Sequence, residues 1–320
     1  MKILICPLNW GLGHATRCVP VIRNLLNEGH EVVIVADGFP LNFLKQQFPV
    51  QRFIEFASYH IQYSSGKSQV TAMLRNMPGL IKGIVRENRW LNNLLRKEHF
   101  DRVISDNRFG LWSGKTNCVY ITHQLMIKMP AALKILEPVA WWMHRLIINR
   151  YDECWIPDFE GKKNLSGDLS HLYPLPRNAR FIGPLSRFKP NETEIVECEY
   201  KNVAVLSGVE PQRSIFEHEL TRRFQHSGQK TLIVRGQPGA IPANYHVGDV
   251  TLVSHLPDKE LTSVLLAVKK IISRSGYSSI MDLTALGCLD KAEFIPIPGQ
   301  TEQEYLFSLH AKKHKKTDTL

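Results

Sequence analysis

Several features that would fix a class at once are missing from this chain. None of its six cysteines (6, 18, 118, 154, 198, 288) stands in a Cys-x-x-Cys pair. A chain of 320 residues builds a core without covalent staples, so reduced thiols in a cytosolic setting are expected, with neither disulfides nor zinc. No Asp-x-Asp occurs, and no His, Cys or carboxylate cluster has the spacing of metal ligands, which argues against a metal-bridged diphosphate. The amino-terminal apolar stretch is only Ile3 to Leu8. It is shorter than the apolar part of a signal peptide, has no small-residue cleavage site, and reads as a first strand. The most apolar later window, Val139 to Ile148, is broken by His144 and Arg145 and falls far short of the ~20 residues that span a bilayer. With 20 Gly, 18 Pro, 43% hydrophobic and 22% charged residues, collagen-like, coiled-coil and wholly disordered classes are excluded as well.

What the chain does have is an excess of positive charge. Lys and Arg number 40 against 30 Asp and Glu. Four of those lysines (312, 313, 315, 316) sit in the last eleven residues, and the rest of the excess is distributed along the body. A basic surface suits polyanions: nucleic acid, anionic lipid or phosphorylated small molecules. No module interleaves basic and aromatic residues as nucleic-acid binders do, so nucleic acid is not the expected partner.

At roughly 150 residues per domain the length predicts two domains. Val- and Ile-rich runs alternate with helix-length segments: Ile3–Leu8, Val32–Ala36, Val103–Ser105, Val119–Thr122, Val203–Leu206, Leu232–Val234, Leu252–Val253, Ile271–Ser273 and Phe294–Ile297. That rhythm predicts α/β architecture with parallel sheets and crossover helices. A repeat sharpens it. Lys2-Ile-Leu-Ile-Cys, a loop, a helix and Asn27-Glu-Gly-His-Glu-Val-Val-Ile-Val recur as Asn202-Val-Ala-Val-Leu, a loop, a helix and His226-Ser-Gly-Gln-Lys-Thr-Leu-Ile-Val. Each copy opens a Rossmann-like domain. The Pro-containing, then acidic stretch from Phe181 to Glu197 reads as an exposed connection, giving an amino-terminal domain over 1–186, a linker over 187–200 and a carboxyl-terminal domain over 201–320. Two such sheets turn their carboxyl ends onto one cleft, so a ligand is expected to touch both halves.

In the second half, Ser273-Arg-Ser-Gly-Tyr-Ser-Ser-Ile-Met-Asp282 follows a strand and precedes an apolar helical pattern. Ser275 to Ser279 therefore fall at a helix N-terminus, where free N–H groups favour phosphate. Gly276 admits close backbone approach, Ser278 and Ser279 supply hydroxyls, and Asp282 is placed to accept from a ribose diol; a capped helix with a surface acid explains the segment too. Val203-Ala-Val-Leu-Ser-Gly208 runs a strand into a glycine loop, a second approach point for phosphate. Val253-Ser-His255-Leu256-Pro leaves another strand with backbone suited to a nucleobase edge, or is an ordinary strand exit. Gln300, Thr301, Glu302 and Gln303 put amides, a hydroxyl and a carboxylate into four consecutive residues, a composition for gripping a polyol or for capping a helix.

Together these segments resemble known enzymes. Ser275-Gly-Tyr-Ser-Ser-x-x-Asp282 resembles the Cys-Gly-Trp-Asn-Ser-x-x-Glu core of plant-type UDP-glycosyltransferases, and Arg274-Ser-Gly resembles the Arg-Ser-Gly of the peptidoglycan N-acetylglucosaminyltransferase. The chain is similar in both domains to GT-B fold glycosyltransferases, nearest the family 28 branch that includes monogalactosyldiacylglycerol synthase. The resemblance implies a UDP-sugar donor and no further cofactor. It implies the diphosphate at Ser275, Gly276, Tyr277, Ser278 and Ser279, and the ribose at Asp282. It also implies the sugar hydroxyls at Glu302 and Gln303, and uracil at the backbone of His255 and Leu256. Relatives carry Glu where this chain has Asp282, one methylene shorter. They also continue after the Gln with helices that return to the first domain, whereas 17 residues follow Gln303 here, so a carboxyl-terminal domain cut short at that end is expected.

In the first half, Asn9-Trp-Gly11-Leu-Gly13-His14-Ala-Thr-Arg is a glycine turn into a helix. The dinucleotide fingerprint would need a third glycine where Thr16 stands, so NAD is not expected. In the resembled family a Gly-His at this turn faces acceptor and donor. A helix N-terminus disfavours the charged imidazole and keeps His14 available as a base; the same His also suits plain helix capping. Asp106 leaves a strand at the cleft side and is placed to orient His14, as an Asp does in similar plant-type enzymes, though an Asp-Asn pair also makes turns. His123 exits the next strand as an acceptor-side candidate, with Gly11 and Gly13. Two segments, Val139–Ile148 and Ile81–Arg96, mix apolar and aromatic residues with Arg and Lys, a pattern shared by sheet-packed helices and by surfaces that touch anionic membrane. The expectation is an inverting, metal-independent transfer of a hexose or N-acetylhexosamine from a UDP-sugar to a lipid, lipid-linked or small-molecule acceptor, in the cytoplasm or at the membrane surface. A UDP-sugar 2-epimerase and a non-catalytic nucleotide-sugar-binding subunit remain as alternatives.

Overall fold

The computed structural model describes residues 1–57, 69–189, 198–208, 210–238 and 244–317. Residues 190–197 of the expected linker lie outside the described residues.

The first sheet uses β1 (Lys2–Pro7), β2 (Glu31–Ala36), β3 (Arg52–Glu55), β4 (Arg102–Asp106), β5 (Asn117–Ile121), β6 (Glu153–Ile156) and β7 (Ala179–Phe181). Their order is β3-β2-β1-β4-β5-β6-β7, every pair parallel. Strands covered on both faces read as continuous apolar runs, as Ile3 to Cys6 does. Ile3 and Ile5 pack with Cys18, Val19 and Ile22 of α1 (Gly13–Asn27) and with Leu41 and Leu44 of α2 (Gly38–Gln47). Leu4 and Cys6 point the other way, onto Leu91 of α3 (Gln69–Lys97). That alternation is the two-residue period of a strand, and each such side chain fully buried contributes about 1.5–3 kcal/mol. Helices α4 (Glu137–Ile148) and α5 (Asp168–His171) complete this half.

The second sheet is smaller: β8 (Asn202–Val205), β9 (Thr231–Val234), β10 (Asn244–Val247), β11 (Val250–Val253), β12 (Lys270–Ser273) and β13 (Ala292–Phe294), in the order β10-β11-β9-β8-β12-β13. Only the β10–β11 hairpin is antiparallel among these pairs. Helix α6 (Gln212–Phe224) covers one face through Phe216 and Leu220. On the other lie α7 (Asp258–Ala267), α8 (Tyr277–Ala285) and α9 (Thr301–Thr317). The repeat seen in the sequence is thus β1-α1-β2 and β8-α6-β9. Its paired glycines, Gly29 and Gly228, both have left-handed backbone (φ 78° and 67°) just past a helix end, a conformation that costs glycine nothing.

One expected strand shifts. The run Phe294–Ile297 is strand only to Phe294, because the ladder closes with Ile295 N–H donating to the Ser273 carbonyl and Pro296 has no N–H to extend it. Strands β3, β6, β7 and β10 were not among the expected runs. The return to the first half is made by α9 itself: Leu306 packs against Leu165 and Leu169, and the Tyr305 hydroxyl accepts from Asp168 N–H at 2.6 Å.

Candidate active site

Strand order reverses between β1 and β4 in the first sheet and between β8 and β12 in the second. Ligands of open α/β sheets bind at the carboxyl ends of such strand pairs. The four loops that leave these strands meet in one cleft of about 220 Å³.

On the first side, α1 starts at Gly13 with no side chain capping it. His14 therefore sits in the first turn, where it lines the cleft. Its Nδ1 lies 3.0 Å from Oδ1 of Asp106, the last residue of β4. Asp106 is fully buried. Burial alone would raise its carboxyl, but the Arg17 guanidinium and His14 outweigh burial and hold it well below the usual carboxylate range. Arg17, one helical turn after His14, donates from Nε to Asp106 Oδ2 at 2.6 Å and also contacts Oδ1. Burial, with the neighbouring Arg17 charge, lowers the His14 pKa despite Asp106, leaving the imidazole neutral at pH 7. Asn107, also on the cleft wall, holds a left-handed backbone at φ 56° and accepts the Tyr120 hydroxyl at 2.9 Å.

Arg17 reaches a third partner. Its Nη1 lies 3.0 Å from His123 Nδ1; arginine only donates, so this nitrogen accepts and the His123 proton sits on Nε2. That Nε2–H points at Glu302 Oε1, 2.8 Å away in the second half. His123 also stacks on Tyr277 with ring centroids 4.2 Å apart and planes within 3°. A polar chain thus runs from His14 through Asp106, Arg17 and His123 to Glu302.

On the second side, α8 begins at Tyr277 after Gly276, again with no side-chain cap. Gly276, Tyr277, Ser278, Ser279 and Asp282 line the cleft, with Ser207 and Gly208 beneath them. The two helix ends nearly touch: Ser278 Oγ donates to the Gly13 carbonyl at 3.1 Å. A methyl group on Gly13 would come within 2.8 Å of that Oγ, and one on Gly11 within 3.1 Å of Gly208 Cα. Glycine at 11 and 13 is what lets the halves approach so closely.

Asp282 is the acid with the most displaced titration on this side. Burial pushes its carboxyl up to about 6, partly offset by Arg187 and by the Ser186 hydroxyl, which donates to it at 2.6 Å. His255 lines the cleft, meets Phe43 edge-on at 6.1 Å, and is pushed down to about 4 by burial and Arg187. Gln300, Glu302 and Gln303 reach the cleft; Gln303 Nε2 donates to Gln300 Oε1 at 2.7 Å.

Five candidates sit differently. Among the described residues, Gly11, Asp106, Leu256, Ser275 and Thr301 do not line the cleft; Asp106 is reached only through His14 and Arg17. The buried Ser275 hydroxyl donates to the Gln303 carbonyl at 2.8 Å, joining the phosphate-type loop to the polyol-type loop. Thr301 Oγ1 donates to the Lys128 carbonyl at 2.7 Å, across the halves. Leu256 packs against the second core. Sequence reasoning missed Arg17 and Arg187, both on the cleft wall. Arg17 had a signal, its i, i+3 spacing from His14 on a helix; Arg187 lay in what reads as a connection. Among the described residues no three His, Cys, Asp or Glu side chains converge as a metal site.

Comparisons with known proteins bear on the fold. Residues 1–127 match the family described as glycosyl transferase family 1. An uncharacterized glycosyltransferase of Methanosarcina acetivorans is 23% identical over 95% of this chain and 82% of its own length. One from Methanosarcina mazei is 22% identical with the same coverage. Among solved structures, the kitacinnamycin glycotransferase superposes with a TM-score of 0.56 at 12% identity, over 99% of this chain and 97% of its own. A complex of LpCGTa with UDP gives 0.57 at 14% identity, over 98% and 82%.

Proposed function

From a chain that has the GT-B fold of the glycosyltransferases over its whole length, we propose an inverting, metal-independent transferase. It moves a hexose or N-acetylhexosamine from a UDP-sugar to an acceptor hydroxyl on a lipid, a lipid-linked sugar or a small molecule, with no further cofactor. Residues 1–186 take the acceptor and 201–320 the donor.

The observation that carries this reading is the His14–Asp106 hydrogen bond of 3.0 Å facing the uncapped start of α8 across one cleft. Asp106 Oδ1 and Arg17 Nη2 both lie within 3.0 Å of His14 Nδ1; in the tautomer whose Nδ1 proton goes to Asp106, His14 Nε2 takes the acceptor hydroxyl proton. The acceptor oxygen bonds to the anomeric carbon as the carbon–oxygen bond to the diphosphate breaks, and the leaving pair of electrons goes to the diphosphate. Free N–H groups of α8 and the hydroxyls of Ser278 and Ser279 stabilise that charge. Arg187, paired with Asp258 at 3.3 Å, adds a cation whose buried Nε has no hydrogen-bond partner among the described residues. Asp282 holds the ribose, the backbone at His255 meets uracil, and Gln300, Glu302 and Gln303 hold the sugar. Glu302 exchanges His123 for a sugar hydroxyl as donor enters.

The test is calorimetric titration with UDP, UDP-GlcNAc, UDP-Gal and NADH, with and without EDTA, on wild type and Asp282→Ala. UDP binding that survives EDTA and weakens in Asp282→Ala is expected. Loss of His14 should then lower transfer by about 10²- to 10⁴-fold while UDP still binds. Failure to bind UDP, or preference for NADH, overturns the reading.

A further inference from the structure

One nitrogen of the polar chain has two neighbours that require opposite things of it. His14 Nδ1 lies 2.9 Å from Arg17 Nη2 and 3.0 Å from Asp106 Oδ1. Arginine only donates and a carboxylate only accepts. If Nδ1 accepts from Arg17, the ring proton sits on Nε2, and that nitrogen cannot take a proton. If Nδ1 donates to Asp106, Nε2 carries the free lone pair. The ring is neutral at pH 7, because burial and the Arg17 charge lower its pKa, and so it has one proton to place.

As the residues stand, the first arrangement is the better satisfied. Asp106 already receives Arg17 Nε at 2.6 Å, Arg17 Nη2, and the Cys18 thiol at 3.5 Å. The second hydrogen of Nη2 finds its acceptor at His14 Nδ1. Arg17 is held in that pose from its other end: Nη1 donates to His123 Nδ1 at 3.0 Å, and Glu302 Oε1 accepts from His123 Nε2 at 2.8 Å. A carboxylate on one side of an imidazole makes the nitrogen on the other side a stronger acceptor, so Glu302 tightens the hold of His123 on Arg17. His123 itself is fixed. Its ring stacks on Tyr277, whose hydroxyl donates to the Pro157 carbonyl at 2.9 Å, and its own carbonyl accepts from the Ser170 hydroxyl. Glu302 is the mobile end, with 32% of its side chain exposed against 12% or less for the other four members.

We propose that Arg17 is a positioning residue that keeps His14 in its idle tautomer until the donor sugar draws Glu302 away from His123. This role rests on the transferase reading, in which Glu302 holds a sugar hydroxyl. With Glu302 withdrawn, His123 Nδ1 accepts less strongly, the guanidinium turns within its two-point hold on Asp106, and Nη2 leaves His14. The ring gives its Nε2 proton to water in the cleft and takes one from water at Nδ1, with no change in charge. The new N–H donates to Asp106, and Nε2 is free as the base. A nucleoside diphosphate without its sugar leaves Glu302 on His123 and the base idle. The titratable groups around His14 are Arg17 and Cys18 on α1, Asp106 at the end of β4, His123 after β5, Tyr277 on α8 and Glu302 on α9, so the switch is read at one fixed pH.

Nitrogen NMR of the full chain labelled in histidine, at pH 7, separates the two tautomers, with His14→Gln assigning the signal. The His14 proton should sit on Nε2 in the free protein and with UDP, and on Nδ1 with whichever of UDP-Gal and UDP-GlcNAc binds. Arg17→Lys keeps a charge facing Asp106 but not the planar fork, and His123→Phe keeps a ring on Tyr277 but neither nitrogen. Both should show the Nδ1–H form without donor. In His123→Phe the preference for the UDP-sugar over UDP should also grow about tenfold, because the sugar no longer displaces a contact. A free protein already in the Nδ1–H form, a switch with UDP alone, or a bound UDP-sugar with the tautomer unchanged overturns the proposal and leaves the transferase reading standing. So does a folded Arg17→Lys that keeps the Nε2–H form, as a merely structural arginine would. The wild-type comparison decides even where a variant fails to fold. Binding of neither UDP nor a UDP-sugar removes both readings.

Discussion

Arg17 is 1% exposed and its guanidinium touches Asp106, His14 and His123 at once. Removing one partner of a buried ion pair leaves the other charge uncompensated, a cost of about 3–5 kcal/mol. Arg17→Met is therefore expected to lower stability in urea by that amount, and Arg17→Met with Asp106→Leu to recover most of it; equal losses in both would show that the pair is not coupled. Asp282 gives a pH signature. Its carboxyl, held up to about 6 chiefly by burial against Arg187 and Ser186, binds its proton more tightly in the fold than in the open chain. Its contribution to stability accordingly declines as pH rises from the ordinary 3.8 towards 6. Ligand binding runs the other way, because a ribose diol needs the ionised form. Affinity for a UDP-hexose should fall as pH drops through about 6, with Arg187 and Asp258 the charged neighbours. A UDP-hexose is the right probe, since UDP carries its own secondary phosphate ionisation at about 6. Asp282→Asn should bind weakly and without that slope; a retained slope would place the titration elsewhere.

At the scale of elements, the sequence displayed those strands that are apolar on both faces. β1, β2, β4 and β9 stand out because a central parallel strand needs no polar side. β3 (Arg52-Phe-Ile-Glu) and β7 (Ala179-Arg-Phe) are sheet edges with charged side chains exposed, and nothing in three or four such residues separates them from a loop. The pairing of His14 with Asp106 was legible from two strand exits expected at one cleft and from the resemblance to plant-type enzymes, in which an Asp orients this His. Arg17 was not, because an arginine inside a helix ordinarily faces water; only the fold shows that β4 delivers a carboxylate to it. Ser275 shows another limit. Its place before a helix was readable, yet the side chain turns to the Gln303 carbonyl, a direction set by a loop 28 residues away.

Across the whole molecule, α9 ties the halves together through Leu306, which is fully buried against Leu165 and Leu169. Leu306→Ala should cost about 2–5 kcal/mol and, by loosening the contact between halves, divide one calorimetric transition into two. A single endotherm at the wild-type temperature would contradict that. Four further cross-links share a trait. Ser278 meets the Gly13 carbonyl, Tyr277 the Pro157 carbonyl, Thr301 the Lys128 carbonyl, and Tyr305 the Asp168 amide. In each case a side chain of the second half grips main chain of the first. These four contacts are therefore indifferent to the first half's side chains, so an exchange of that half for a relative's keeps the joint provided it retains His123, Ser186, Phe43 and Arg23, whose side chains meet Glu302, Asp282, His255 and Asp258.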